Sequence, residues 1–269
     1  MSASGLQVNY AHAIGFNSVA AAVIFATLYV PLFHWFILQS FKHPTYVHIV
    51  LSLFCAIRIT AFVIRSLLAS ASSAGENLGL LIGDEILFGV GFFGLLYSAY
   101  TLVLDRELLN DSPPPRNPII ALTRNRRIFR LALVLAVALG SAGTSMSQSS
   151  SSSTAHTGKT LHVISTVMFL VLTILQALQT LHLARSELSG TSQYRKDNES
   201  FGMRYGVYIL LLVAALLLVR EAFSMATVND LLKQTNEHFW YPLLAVPEII
   251  AVALYATPGL VPPRSDLPK

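Results

Sequence analysis

The chain has 269 residues, 54% of them apolar and 12% charged, with a formal charge of +4 and a mean hydropathy of +0.59. Soluble domains carry about 25% charged residues. An ordinary water-soluble globule is therefore excluded, as are disordered, collagenous and disulfide-scaffold chains. The single cysteine, Cys55, rules out an intrachain disulfide and any cysteine-built zinc or iron–sulfur site.

A membrane-spanning helix needs about 20 mostly apolar residues. Seven segments meet that length: Ala13–Leu38, Tyr46–Ala69, Leu78–Leu104, Phe129–Met146, Leu161–Ala184, Tyr205–Ala226 and Phe239–Thr257. Residues 1–12 contain no Lys or Arg, and the apolar segment after them is too long for a signal-peptide core. It is expected to be an anchor with its tail outside. The fourth segment is diluted by Gly140, Ser141, Gly143 and Thr144. A membrane β-barrel would alternate apolar and polar residues, and Leu131–Leu139 does not. The expected fold is all-α: a polytopic seven-transmembrane-helix bundle forming one domain over 1–269, with function housed within the helices.

Between the segments, Ser112-Pro113-Pro114-Pro115 predicts a stiff connector, and the serine run Ser147–Thr154 a flexible exposed one. With the N-terminus outside, thirteen of the eighteen Lys and Arg residues fall in inner segments and only Lys159 and Lys233 in outer ones. The remaining three, Arg58, Arg65 and Arg220, lie inside helices. This bias predicts an outside N-terminus and a cytoplasmic C-terminus. It assigns the basic charge to topology and an anionic leaflet, not to nucleic acid. The glycosylation acceptors at Asn110 and Asn198 then face inward and stay unmodified.

Segments one to three and five to seven share a faint pattern. His34 matches His182, and Arg65 matches Arg220. Asp84-Glu85 and Glu237-His238 follow those arginines by 19 and 17 residues. The pattern suggests parallel three-helix repeats around the fourth span, a 3+1+3 plan used by some transporters.

Charges inside a bilayer cost several kcal/mol unless paired. Arg58 and Arg65 share one face of segment two, about 10 Å apart. Asp84 and Glu85 lie on segment three, Arg220 and Glu221 on six, and Glu248 at mid-depth on seven, with Glu237 and His238 at the outer rim. Depth-matching pairs Arg58 with Glu248, and Arg65 or Arg220 with Asp84 or Glu85. Two readings stay open for these nine residues: ion pairs that hold helices together, or a polar substrate-binding cavity. The one-carboxylate surplus among the seven intramembrane charges favours an amine or a proton as ligand. Pro247 should disturb the seventh helix beside Glu248 by removing a donor to the carbonyl of Leu243. Gln176 and Gln179 are expected to bond between helices.

The elements Arg58-Ile-Thr-Ala-Phe62-Val-Ile-Arg65, Arg220-Glu221-Ala-Phe223, Asn236-Glu237-His238-Phe-Trp-Tyr241 and Pro247-Glu248 resemble those of the fungal lipid-translocating exporters linked to aminocholesterol resistance. They resemble still more an uncharacterised fungal seven-span family related to them. The resemblance implies a fungal plasma-membrane or endomembrane protein that moves or senses amphipathic lipids such as sphingoid bases.

Three functions remain open. A lipid transporter predicts an opening at the outer leaflet lined by Arg65, Asp84, Arg220 and Glu237. A receptor is suggested by seven spans and Asp105-Arg106, although segment seven has no Asn-Pro-x-x-Tyr and no lysine for a retinal Schiff base. An embedded enzyme would use Asp84, Glu85 or Glu248 as acid. The eight histidines are scattered, with no i, i+4 pair on one span, so no metal, cofactor or catalytic residue is assigned. The expected partners are membrane lipids.

Overall fold

The computed structural model describes residues 9–109, 124–188 and 200–263. The Pro113–Pro115 connector and the acceptors Asn110 and Asn198 lie outside them. Among the described residues there is no strand, and seven helices are long and apolar enough to cross a membrane. They are α1 (Val19–Lys42), α2 (Tyr46–Ser70), α3 (Leu78–Leu109), α4 (Arg126–Ser147), α5 (Ser152–Leu188), α6 (Phe201–Thr227) and α7 (Glu237–Tyr255). Short helical turns cover Tyr10–Ala13, Ser72–Gly75 and Leu231–Gln234.

Local chemistry sets the helix ends. The Ser18 hydroxyl accepts from the backbone of Ala21 at 3.2 Å and starts α1. Pro44 disfavours helix in the residue before it, so α1 stops at Lys42 and Thr45 caps α2. Asn125 caps α4 through the amides of Arg127 and Ile128. The first span begins six residues later than hydropathy predicts. Gly15, at φ +101°, turns the chain between Tyr10–Ala13 and α1.

The serine run corrects another expectation. Helix α5 begins at Ser152, nine residues before its apolar stretch, so only residues 148–151 join α4 to α5. Hydropathy detects the part of a helix that needs oil. Polar residues beyond it continue the same hydrogen-bond ladder.

Consecutive helices pack side by side, and α3 also meets α5 and α6. In its most apolar stretch α3 is 72% buried, against 22% for α1. Thus α3 is the central rod and α1 a peripheral one. Small residues permit close approach where it matters. A Cβ on Gly143 would stand 2.6 Å from the backbone nitrogen of His162, and one on Gly158 would strike the backbone at Ser147. The backbones of α4 and α5 therefore touch near their shared turn. A chain of rings, Phe25, Phe62, Phe88 and Trp240, locks α1, α2, α3 and α7 together.

One end of the bundle is basic. It gathers Lys42, Arg106, Arg124, Arg126, Arg130, Arg185 and Arg204 at helix termini. The opposite end holds the short turns and a cavity.

Candidate functional site

Helix α7 carries the irregularity predicted at Pro247. Residues Tyr241–Ala245 form a π turn, in which the Val246 N–H reaches back five residues to the Tyr241 carbonyl. Pro247 has no N–H to continue the usual ladder, and the widened turn absorbs the defect. Just beyond it, Glu248 is fully buried and faces the bundle interior.

Glu248 is the hub of the buried charges. Arg58 on α2 grips it bidentately, Nε to Oε2 and Nη2 to Oε1, both at 2.7 Å. The same guanidinium donates to the carbonyls of Leu87 at 3.1 Å and Phe88 at 3.0 Å on α3. Four of its five N–H donors are thereby satisfied, which is what makes a fully buried arginine tolerable. Arg220 on α6 adds a bond from Nε to Glu248 Oε1 at 3.1 Å and pairs with its neighbour Glu221. The Phe92 ring lies 3.9 Å from its guanidinium carbon. Depth-matching is correct for Arg58 and Glu248. Arg220 takes Glu221 and Glu248, not Asp84 or Glu85.

Arg65 forms a second site one layer nearer the cavity end. It donates to Asp84 Oδ2 from Nη2 at 2.8 Å and from Nε at 3.2 Å. The rings of Trp240, Phe16 and Phe88 surround its guanidinium carbon at 3.6, 4.4 and 4.7 Å. Such contacts between a cation and ring faces strengthen when desolvated. Phe16 belongs to the segment before α1, so the N-terminal chain folds back as part of the cage. The hydroxyl of Thr235 holds that segment, donating to the Ile14 carbonyl at 2.5 Å.

Against this frame lies a cavity of about 480 Å³, walled by residues of α2 to α7, by the turn before α7 and by Phe16. Ligand sites span about 300–1,000 Å³ and combine apolar walls with a few polar groups. Here the apolar walls are Phe16, Phe88, Phe92, Phe169 and Trp240. Four of the nine predicted residues line it: Arg65, Glu85, Arg220 and Glu221. Arg58, Asp84 and Glu248 sit behind the wall as counter-charges. Glu237 and His238 are not in the cavity wall. The Glu237 carboxylate accepts from the backbone of Asn17 and Ser18, both at 3.1 Å, and so caps the start of α1. His238 is exposed. The lining expected of a transporter is thus present for Arg65 and Arg220 and absent for Asp84 and Glu237.

The pairing leaves a remainder. Arg58, Arg65 and Arg220 are matched by Asp84, Glu221 and Glu248. Glu85 faces the cavity and makes no hydrogen bond or ion pair among the described residues. Sequence reasoning missed Lys159, His162 and Thr166, which line the cavity from α5. Their i, i+3, i+7 spacing was visible and places them on one helix face. Ser141 and Thr144, which dilute the fourth segment, form the facing wall. Gln176 also departs from expectation: its amide donates to Thr180 on its own helix at 2.9 Å.

The basic end is closed by three successive residues of α3. Asp105 pairs with Arg126 at 2.5 Å, Arg106 with Glu187 at 2.6 Å, and Glu107 with Arg124 at 3.1 Å. Arg106 also donates to the Met203 carbonyl at 2.8 Å. These bonds tie α3 to α4, α5 and α6. No three of His, Cys, Asp or Glu come together as a metal-holding group among the described residues.

The fold and its interior define a multi-pass, all-α membrane protein: seven helices around a paired charge network, with a cavity at one end. No protein-family model matches the chain, nor does any curated protein or solved structure.

Proposed function

We propose that this protein binds an amphipathic lipid through its polar intramembrane cavity and moves the head group across the bilayer. The observation that carries the reading is Glu85. It is a carboxylate without an ion-pair partner among the described residues, on the wall of a cavity that also holds aromatic rings and the paired charges Arg65, Arg220 and Glu221. A lone carboxylate in a low-dielectric site favours a cation, and the surrounding rings favour an apolar chain or an ammonium. The head group proposed is therefore one bearing an amine. The resemblance to lipid-translocating exporters supports the same choice. The basic end is proposed to face the cytoplasm, which puts the cavity at the outer leaflet.

The test uses purified protein in phosphatidylcholine vesicles loaded in one leaflet with a fluorescent long-chain amine. Leaflet exchange is read by chemical quenching. Protein-containing vesicles should exchange the probe faster than empty ones. Glu85→Gln should slow exchange about tenfold, since a hydrogen bond to a charged group is worth about 1.5–3 kcal/mol. Exchange no faster than in empty vesicles, for amine and neutral probes alike, defeats the proposal.

A further inference from the structure

We infer that the cavity contains a second subsite, for an anionic group, at Lys159 and His162, so that its ligand is a zwitterionic amphiphile. The inference rests on the amphiphile reading above and specifies its head group. After Arg58, Arg65 and Arg220 are matched with Asp84, Glu221 and Glu248, two charged side chains on the cavity wall stand without an ion pair among the described residues. One is Glu85 on α3. The other is Lys159 on α5. They carry opposite signs and sit on different helices of the same cavity.

The surroundings of Lys159 suit an anion. Its ammonium offers three donors and no acceptor. His162 lies one turn further along α5, with Nδ1 3.5 Å from the Thr144 hydroxyl, so Nε2 is uncommitted among the described residues. The Ser141 hydroxyl and the Gln148 amide also line this lobe and make no side-chain hydrogen bond among them. The tight backbone contact at Gly143 and Gly158 is what brings these groups of α4 and α5 to a common wall.

Charge logic then selects the ligand. A purely cationic head group at Glu85 meets the ammonium of Lys159. A purely anionic one at Lys159 meets the carboxylate of Glu85. A head group with an ammonium and a phosphate or carboxylate satisfies both, and enters without a net charge to desolvate.

Trp240 lies on the cavity wall and gives a readout, with Trp35 away from it on α1. Binding is followed by tryptophan fluorescence of the purified full chain in neutral detergent. The probes are lysophosphatidylethanolamine, hexadecylamine, hexadecyl phosphate and free phosphoethanolamine. The zwitterionic lipid should bind about tenfold more tightly than either single-charge amphiphile. Lys159 is exposed, so Lys159→Gln should fold normally; it should erase that preference and leave hexadecylamine binding at least as tight. Glu85→Gln should turn the preference toward hexadecyl phosphate.

Hexadecylamine binding tightest to the wild type, or a zwitterion preference that survives Lys159→Gln, overturns the subsite while leaving the amphiphile reading intact. Binding of none of the three amphiphiles overturns that reading itself and the subsite with it. Free phosphoethanolamine binding as tightly as its lipid supports the two-charge subsite and assigns it to a soluble ligand.

Discussion

Gly91 on α3 and Arg58 on α2 are fitted to each other: a Cβ on Gly91 would stand 2.7 Å from Nη1 and 2.9 Å from the guanidinium carbon. The missing side chain lets the guanidinium reach the carbonyls of Leu87 and Phe88 while it grips Glu248. The central helix is therefore a ligand of the buried arginine through its backbone.

Gly91→Ala should push Arg58 off those carbonyls and destabilise the fold by about 1–3 kcal/mol, the usual cost of overpacking. Gly89, two residues earlier, has open space where its Cβ would go. Gly89→Ala should be neutral or slightly stabilising, since alanine is the better helix former. Thermal unfolding of the purified protein in detergent compares the two. Equal midpoints for both variants would contradict the fit.

Asp84→Ala strands Arg65 in a buried site and should cost about 3–5 kcal/mol. The double variant Arg65→Met/Asp84→Leu removes both charges and should recover most of that loss. Glu248→Gln should exceed Asp84→Asn in its effect, because Glu248 serves two arginines and Asp84 one. The unfolding midpoints of the set decide it; a double variant as unstable as the single one would argue against simple ion pairing.

Glu237 and Glu85 should behave in opposite ways. Glu237→Ala removes the cap on Asn17 and Ser18 and should lower stability by about 1 kcal/mol, with amphiphile binding unchanged. Glu85→Gln removes a carboxylate that pairs with nothing described, so it should leave the melting midpoint unchanged or raised and weaken amine binding. Measuring both properties on both variants checks the assignment. A binding defect in Glu237→Ala would return Glu237 to the site.

At the basic end, Arg106 is held by Glu187 and Met203 in a gap left by Gly206. Arg106→Gln and Gly206→Ala should both loosen the join of α3, α5 and α6. The pair is partly exposed, so the loss of stability should be only about 1 kcal/mol. Hydrogen exchange should rise in the last turns of α3 and α5 and stay unchanged around Glu248. Uniform protection across both helices in the variants would show that the network does not hold this end.

Much of the charge pattern was legible because depth along a helix follows from residue number. That is how Arg58 finds Glu248, and why Arg65 with Asp84 was among the expected pairs. Depth does not give rotation about the helix axis. Arg220 therefore went to Glu221 and Glu248, and Glu237 left the site to cap α1. Asp84 and Glu237, which hold matching places in the sequence pattern, differ in their partners on the same ground: Asp84 pairs with an arginine and Glu237 with backbone amides. The α5 face of Lys159, His162 and Thr166 carried a readable spacing. Its meaning is hidden because Lys159 stands before the apolar run, where hydropathy alone does not distinguish a helix from a loop.

The sequence by itself determined the class and the number of spans, because crossing oil demands long apolar runs and each run declares itself locally. It also required the interior charges to find partners, because a lone charge in oil is too costly to leave uncompensated. Only the tertiary structure decided which charges met, that α3 stands at the centre, and that the six helices α2 to α7 leave a cavity with Glu85 on one wall and Lys159 on another. Those outcomes depend on how each rod is turned and spaced against rods distant in sequence, and side-chain volumes at their contacts set that geometry.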